Sequence, residues 1–434
     1  MKRRVVSMVT LALVVFLLGL ALGITPRNSP VKAPQPWKTG FWIWAGSTPA
    51  TAELRASVLY VQILGNHWPR GLPAADEYFV VRRLDPNANL TRALAAEIVE
   101  HYARLVSDAG ARARVAGLQI DYDCPTKRLE DYGEFLTWIR QDLSPNAKLS
   151  ITALLDWFGP HTSIQQTLAP VDEFVPQFYD VGATRSSAGI AEPVNSAKWA
   201  PILNSLKTPY RIGISSFGRI ARRREESSGR TQVHYFRDRT PLDFAASPAF
   251  RRSSTTTGAG ELVVQYDVNA EAEMDELRPG DRVEITFPTE ASVRAAYDAA
   301  AKFGGYCSGV IFFRWPNASE TLPMAPDQVN LILRGKTLTS EVTLETREGN
   351  CKERKCIDLH VSFGGKTGSD PQDRLLDIRA SGPMDLFLPD PPLHFVTSGM
   401  RQIRVRVPGY SGLSSAYLGR AFSDEGLNFE IRSR

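Results

Sequence analysis

Short runs of strand-like sequence recur along this chain, and several of the stretches between them carry apolar residues at helical spacing. The strand-like runs are Phe41 to Ala45, Val58 to Leu64, Tyr78 to Arg83, Val115 to Asp123, Leu149 to Trp157, Glu173 to Tyr179, Arg211 to Phe217 and Gly309 to Trp315. Between the third and fourth, Thr91 to Ala109 places Leu94, Ile98 and Leu105 on one helical face, and after the fourth, Leu129 to Asp142 turns Phe135, Leu136 and Ile139 the same way. Strands that alternate with helices predict a parallel sheet, and eight of them predict an α/β fold closed into a (β/α)8 TIM barrel over residues 38–325.

The stretch between the seventh and eighth strands is too long for a simple crossover. It holds strand-like Glu261 to Val268 and Arg282 to Phe287, then a helix from Glu290 to Phe303. An insertion over about 218–288 is expected, with the arginine run Arg219 to Arg224 as a solvated loop and Arg222 to Arg230 and Arg251 to Gly260 as mobile loops. From about Lys336 the pattern changes to short alternating segments, Glu341 to Glu345, Ile357 to Phe363, Leu375 to Ala380 and Gln402 to Val407, divided by Gly, Pro and Asp. Residues 336–434 therefore read as a small antiparallel β-sandwich whose expected role is packing.

At the other end, Lys2-Arg3-Arg4 precede an uncharged, mainly apolar segment from Val5 to Leu22, followed by polar, Pro-rich sequence from Thr25 to Pro36. Residues 1–24 read as a signal peptide or a single membrane anchor, and 25–37 as a linker. Basic residues stay on the cytoplasmic side, so the body of the protein is expected outside the cytoplasm, periplasmic or held at the inner membrane, with membrane contact only through this segment. Export also makes a disulfide between Cys351 and Cys356 reasonable, since the two are close enough in sequence to staple one turn. Cys124 and Cys307 fall at opposite ends of a barrel, so a second bridge is not expected. The six histidines are scattered, which gives no metal-ligand spacing and no expected cofactor. A net charge of +4 over 434 residues gives no reason to propose nucleic acid as a partner.

The candidate chemistry lies at strand ends. In Gly117-Leu118-Gln119-Ile120-Asp121-Tyr122-Asp123, successive side chains point to opposite faces, so Gln119, Asp121 and Asp123 share the inner one. Carboxylates are costly to hold inside a barrel and sit where barrel active sites form, at the C-terminal ends of strands. They share this rim with His67, with Asp156 and Trp157, with Gln177, Tyr179 and Asp180, and with Trp315. Aromatic rings beside acids suit sugars, because a ring stacks on the C–H face while acids and amides bind hydroxyls. The expected partner is a polysaccharide or oligosaccharide. The plainer account is that the acids hydrogen-bond neighbouring strand ends and the aromatics pack.

These segments resemble the family 18 glycoside hydrolases, which carry D-x-x-D-x-D-x-E on the fourth barrel strand, M-x-Y-D on the sixth and a Trp at the end of the eighth. Aligned on Gly117, Gln119 and Asp121 fall on the last two aspartates and Asp123 on the glutamate that acts as general acid. Gln177-Phe178-Tyr179-Asp180 is similar to the sixth-strand motif, and Trp315 to the tryptophan at the floor of the sugar site. The resemblance implies Asp123 as acid, Asp121 orienting it or stabilising developing positive charge, and Tyr179 holding the sugar's 2-substituent. Gln119, Asp156, Trp157, Gln177, Asp180, Trp315 and His67 are the candidate substrate contacts, with Asp156 or Asp180 available as a second carboxylate. Gln119 stands where those enzymes have Asp, and Asp123 is one methylene shorter than Glu, which leaves open a non-catalytic carbohydrate-binding protein or an envelope scaffold. A closer resemblance, on Gly117 to Asp123, Leu149 to Leu154 and Val175 to Tyr179, is to the bacterial family called domain of unknown function 3142, which implies an exported barrel and no established reaction.

Overall fold

The computed structural model describes residues 36–45, 56–179, 194–236, 238–258, 261–269, 276–316, 320, 322–339, 341–351, 355–364, 373–390, 393–409, 411–412 and 415–433. The Val5 to Leu22 segment and Asp180 lie outside them. Seven strands come first: β1 (Lys38–Ile43), β2 (Ala56–Gln62), β3 (Ala75–Arg83), β4 (Val115–Asp121), β5 (Lys148–Ala153), β6 (Glu173–Phe178) and β7 (Tyr210–Ser215). The chain then forms β8 (Arg219–Glu225), β9 (Thr231–Phe236), β10 (Phe250–Gly258), β11 (Glu261–Val268) and β12 (Arg282–Phe287) before returning as β13 (Cys307–Phe313). Strands β1 to β7 lie side by side in chain order, and β13 closes the ring between β7 and β1, all parallel.

Alternation along each strand divides the barrel into two cores. Trp42, Tyr60, Phe79, Val81, Val175 and Ile311 point inward and form one cluster, while their neighbours Phe41, Leu59, Val80, Leu118 and Phe312 pack outward into the larger core shared with the helices. One such helix, Arg92–Ala109, begins where Thr91 accepts a hydrogen bond from the Leu94 amide at 3.1 Å, and it buries Ala95, Ile98, Tyr102, Leu105 and Ala109. It stops at Gly110, whose φ of 50° suits a residue without Cβ. Its neighbour, Leu129–Asp142, buries Leu129, Tyr132, Phe135, Leu136 and Ile139. Each fully buried large apolar side chain contributes about 1.5–3 kcal/mol.

The lower barrel interior is polar and hydrogen-bonded, with Arg211 Nε left without a partner among the described residues. Trp42 Nε1 donates to Gln119 Oε1 (2.7 Å), Gln119 Nε2 donates to Ser150 Oγ (3.1 Å), and Ser150 Oγ donates to Glu173 Oε1 (3.2 Å). Glu173 also accepts from Arg211 Nη1 at 3.0 Å and from the Tyr60 hydroxyl. A buried ion pair held by this many hydrogen bonds costs dearly when one partner is removed. Above it, Gly213 leaves room for two rings: a Cβ there would meet Trp42 and Tyr179 at 3.2 Å each.

The arginine-rich parts of the insertion are strands, not loops. β8, β9 and β10 join β11 and β12 in an antiparallel sheet ordered β10-β11-β12-β8-β9. Their charges hide the pattern, because Arg223 pairs with Glu284 across β8 and β12, and Arg224 reaches Asp281 at 2.7 Å. The remaining strands are β14 (Val342–Glu348), β15 (Cys356–Phe363), β16 (Arg374–Ala380), β17 (Leu386–Pro389), β18 (His394–Gly399), β19 (Gln402–Val407), β20 (Ser415–Phe422) and β21 (Phe429–Ser433). They form two four-stranded sheets, β14-β15-β20-β17 and β18-β19-β16-β21. Leu359 and Val361 from one sheet and Leu376, Ile403 and Val405 from the other share a core, which Leu242 of the insertion joins. Cys351 and Cys356 are bonded, with Cα atoms 6.1 Å apart, whereas Cys124 and Cys307 are free thiols.

Candidate functional site

A cleft opens at the C-terminal ends of the barrel strands, lined by Trp42, Trp44, Arg83, Asp121, Asp123, Thr152, Gln177, Tyr179 and Phe313. It is a shallow cleft, with ≈ 90 Å³ of enclosed space below an open mouth. Each side chain arrives by strand parity. Asp121 ends β4 two residues above Gln119, Thr152 lies two above Ser150 on β5, and Arg83 ends β3 on the face of Phe79 and Val81. Asp123 lies just past the end of β4 and is half-buried.

The two acids differ in their surroundings. Asp121 Oδ1 accepts a hydrogen bond from Thr152 Oγ1 at 2.8 Å, and its Oδ2 lies 3.9 Å from Arg83 Nε, where pairing is electrostatic only. Burial pushes the Asp121 carboxyl from the ordinary 3.8 up to about 6. The Thr152 hydrogen bond opposes the rise, the charge of Asp123 adds to it and Arg83 opposes it. Burial also raises the Asp123 carboxyl, against the pull of Arg83. Asp121 therefore retains a proton into the weakly acidic range. Burial, then the charges of Asp121 and Asp123, push the Tyr179 phenol well above its ordinary value, so it remains a hydrogen-bond donor.

The wall is aromatic. Tyr179 stacks on Phe313 with centroids 4.7 Å apart, Trp42 meets both edge-on, and Trp44 lies edge-on to Phe313 at 5.7 Å. Of the residues expected from sequence to form the site, the structure brings Asp121, Asp123, Gln177 and Tyr179 together here. Gln119 lies beneath, fully buried, with its amide engaged by Trp42 and Ser150.

The others lie elsewhere. β5 ends at Ala153, so Asp156 sits on a short turn of helix, exposed, accepting from Thr126 Oγ1 at 2.9 Å. Trp157 is fully buried on the outer side, its Nε1 donating to the Cys124 carbonyl at 2.8 Å. Trp315 follows the end of β13 and is also fully buried, edge-on to the outward-facing Phe41. The strand ends before Trp315, and Phe313 takes the inward place at the mouth. His67 is exposed beside Asp108, with Nδ1 3.7 Å from its Oδ1. Asp180 falls outside the described residues. Sequence reasoning did not single out Trp42, Trp44 or Arg83, although the spacing of the two tryptophans put them on one strand face.

A closed parallel barrel carrying an acid pair in an aromatic-walled cleft at its C-terminal rim is a (β/α)8 barrel whose candidate site lies where barrel active sites form. Within it, residues 77–248 match the model of the family described as Domain of unknown function (DUF3142), a span that includes Arg83, Asp121, Asp123, Thr152, Gln177 and Tyr179. Among solved structures, the Bacillus cereus spore cortex-lytic enzyme SleL is 14% identical, with 71% of this chain and 76% of that chain covered and a TM-score of 0.42. The C-terminal domain of a putative chitinase from Desulfitobacterium hafniense DCB-2 is 14% identical over 66% of this chain and 95% of that one, with a TM-score of 0.44. A chitinase-like agglutinin from Robinia pseudoacacia is 11% identical over 64% and 94%, with a TM-score of 0.37. No curated protein matches the chain.

Proposed function

We propose that this chain is an exported glycoside-hydrolase-like protein that acts on a cell-envelope or environmental polysaccharide, with Asp123 as general acid. The observation that carries the reading is the meeting of Asp121 and Asp123 in a cleft walled by Trp42, Trp44, Tyr179 and Phe313. Asp123 takes the acid role because, among the described residues, no side chain hydrogen-bonds its carboxyl, whereas Asp121 is held by Thr152. Asp123, whose proton burial helps to retain, delivers it to the departing glycosidic oxygen, and the Asp121 carboxylate stabilises the positive charge that grows at the sugar. Tyr179, protonated and at the cleft wall, holds the sugar's 2-substituent, which itself supplies the displacement in a substrate-assisted reaction. The aromatic wall provides a stacking face for the ring.

The test is Asp123→Asn, which keeps the shape of the side chain but has no proton to deliver. On a glycan that the parent cleaves, turnover falls about 100- to 10,000-fold while binding persists; unchanged turnover rejects the assignment. The second reading, binding without cleavage, is favoured by the short reach of Asp123. Retention of several glycans from a library with release of none selects it. Export is tested separately, by C-terminal fusions to reporters active on only one side of the membrane: a fusion active only in the cytoplasm rejects it.

A further inference from the structure

We propose that the cleft is built for a glycan bearing a carboxylate, and that Arg83 is the residue that binds that group. The inference rests on the reading that the cleft takes a glycan, and adds its chemical class. Arg83 ends β3 beside Asp121 in the register and lines the cleft. Its guanidinium carbon stands 5.6 Å from the centroid of the Trp44 ring, close enough for the ring to steady the cation. Its side chain is 57% exposed, and its Nε is 3.9 Å from Asp121, beyond hydrogen-bond distance.

Among the described residues, then, the guanidinium has a place in the cleft but no hydrogen-bond acceptor of its own. Asp121 takes its hydrogen bond from Thr152. A planar fork with unspent donors, braced on an aromatic ring at the edge of an open cleft, matches a carboxylate in shape and charge. A neutral sugar's hydroxyls accept single hydrogen bonds but offer no charged acceptor that takes both arms of the fork. The acids do not prevent this, since Asp121 holds a proton in weakly acidic solution and Arg83 offsets charge on Asp123. A uronic acid in an acidic polysaccharide and the lactyl carboxylate of a peptidoglycan sugar share this chemistry.

The test compares matched pairs on the exported chain by calorimetry at pH 6: oligogalacturonate against its carboxyl-reduced form, and a muramic-acid-containing oligosaccharide against its carboxyl-reduced form. In at least one pair the carboxylated member binds about 10- to 100-fold more tightly, and the pair that responds identifies the source of the carboxylate. Arg83→Gln collapses that ratio toward one, and Arg83→Lys restores part of it. A ratio near one in the parent overturns the inference, as does a ratio that Arg83→Gln leaves intact. A variant that weakens both members alike and shifts the pH profile assigns Arg83 to tuning the acids, which overturns it too. Neutral glycans bound without preference, or no binding of either member of either pair, overturn the inference, whereas the proposed function is decided separately by the glycan library and Asp123→Asn.

Discussion

Asp121→Asn should make the protein more stable at neutral pH, and the size of the gain should depend on pH. The asparagine keeps an oxygen to accept the 2.8 Å hydrogen bond from Thr152, so the main change is loss of a charge that burial disfavours. In the folded chain this carboxyl titrates at about 6, against 3.8 when unperturbed. A raised folded value means that its stabilising contribution is fully present below pH 3.8 and is lost as the pH rises through about 6. The loss amounts to about 3 kcal/mol, which the variant does not incur. For a barrel of this size that corresponds to a melting midpoint raised by on the order of 5 °C. The assay is the difference in midpoint between variant and parent from pH 4 to pH 7.5. It should lie near zero at the acid end and widen through pH 6. Asp123, raised by its own burial, leaves a smaller slope of the same sign in both proteins. A difference that does not vary with pH would refute the argument that burial, rather than hydrogen bonding, governs Asp121. A midpoint gain accompanied by lost turnover would mark the acid pair as a place where stability is given up for chemistry.

Two further outcomes follow from where side chains lie. Trp315→Ala should cost about 3–5 kcal/mol by leaving a cavity beside Phe41, measured by denaturant unfolding, with glycan affinity of the folded variant unchanged; a selective loss of affinity would place this ring in the cleft after all. Reducing the Cys351–Cys356 bond, which closes a loop with a sequence separation of 5, should destabilise the sandwich by about 2 kcal/mol. Hydrogen exchange in β15 and β20, compared with and without reductant, would reveal it, and equal protection in both states would argue against it.

The alternation of strands and helices, and the face shared by Gln119 and Asp121, were legible in the sequence because both are local. Apolar periodicity records which side of each element is covered, and a closed ring of eight strands with helices outside is the arrangement that covers them. The same local logic failed where a strand stops. β4 ends at Asp121 and β5 at Ala153, and parity carried past those ends placed Asp156 in the cleft. It likewise placed Trp315 there, although β13 ends at Phe313. In the insertion, arginines paired with acids across β8 and β12 gave no apolar alternation to read, so strands passed for loops. Which strand ends meet depends on register and closure between segments far apart in the chain. Arg83, Trp44 and Asp121 come from three different strand ends, and only the barrel brings them within a few ångströms. Sequence by itself determined the barrel and the acid pair, through patterns each segment carries alone. The tertiary structure decided which aromatics wall the cleft and that a guanidinium stands beside the acids, because those are contacts between segments.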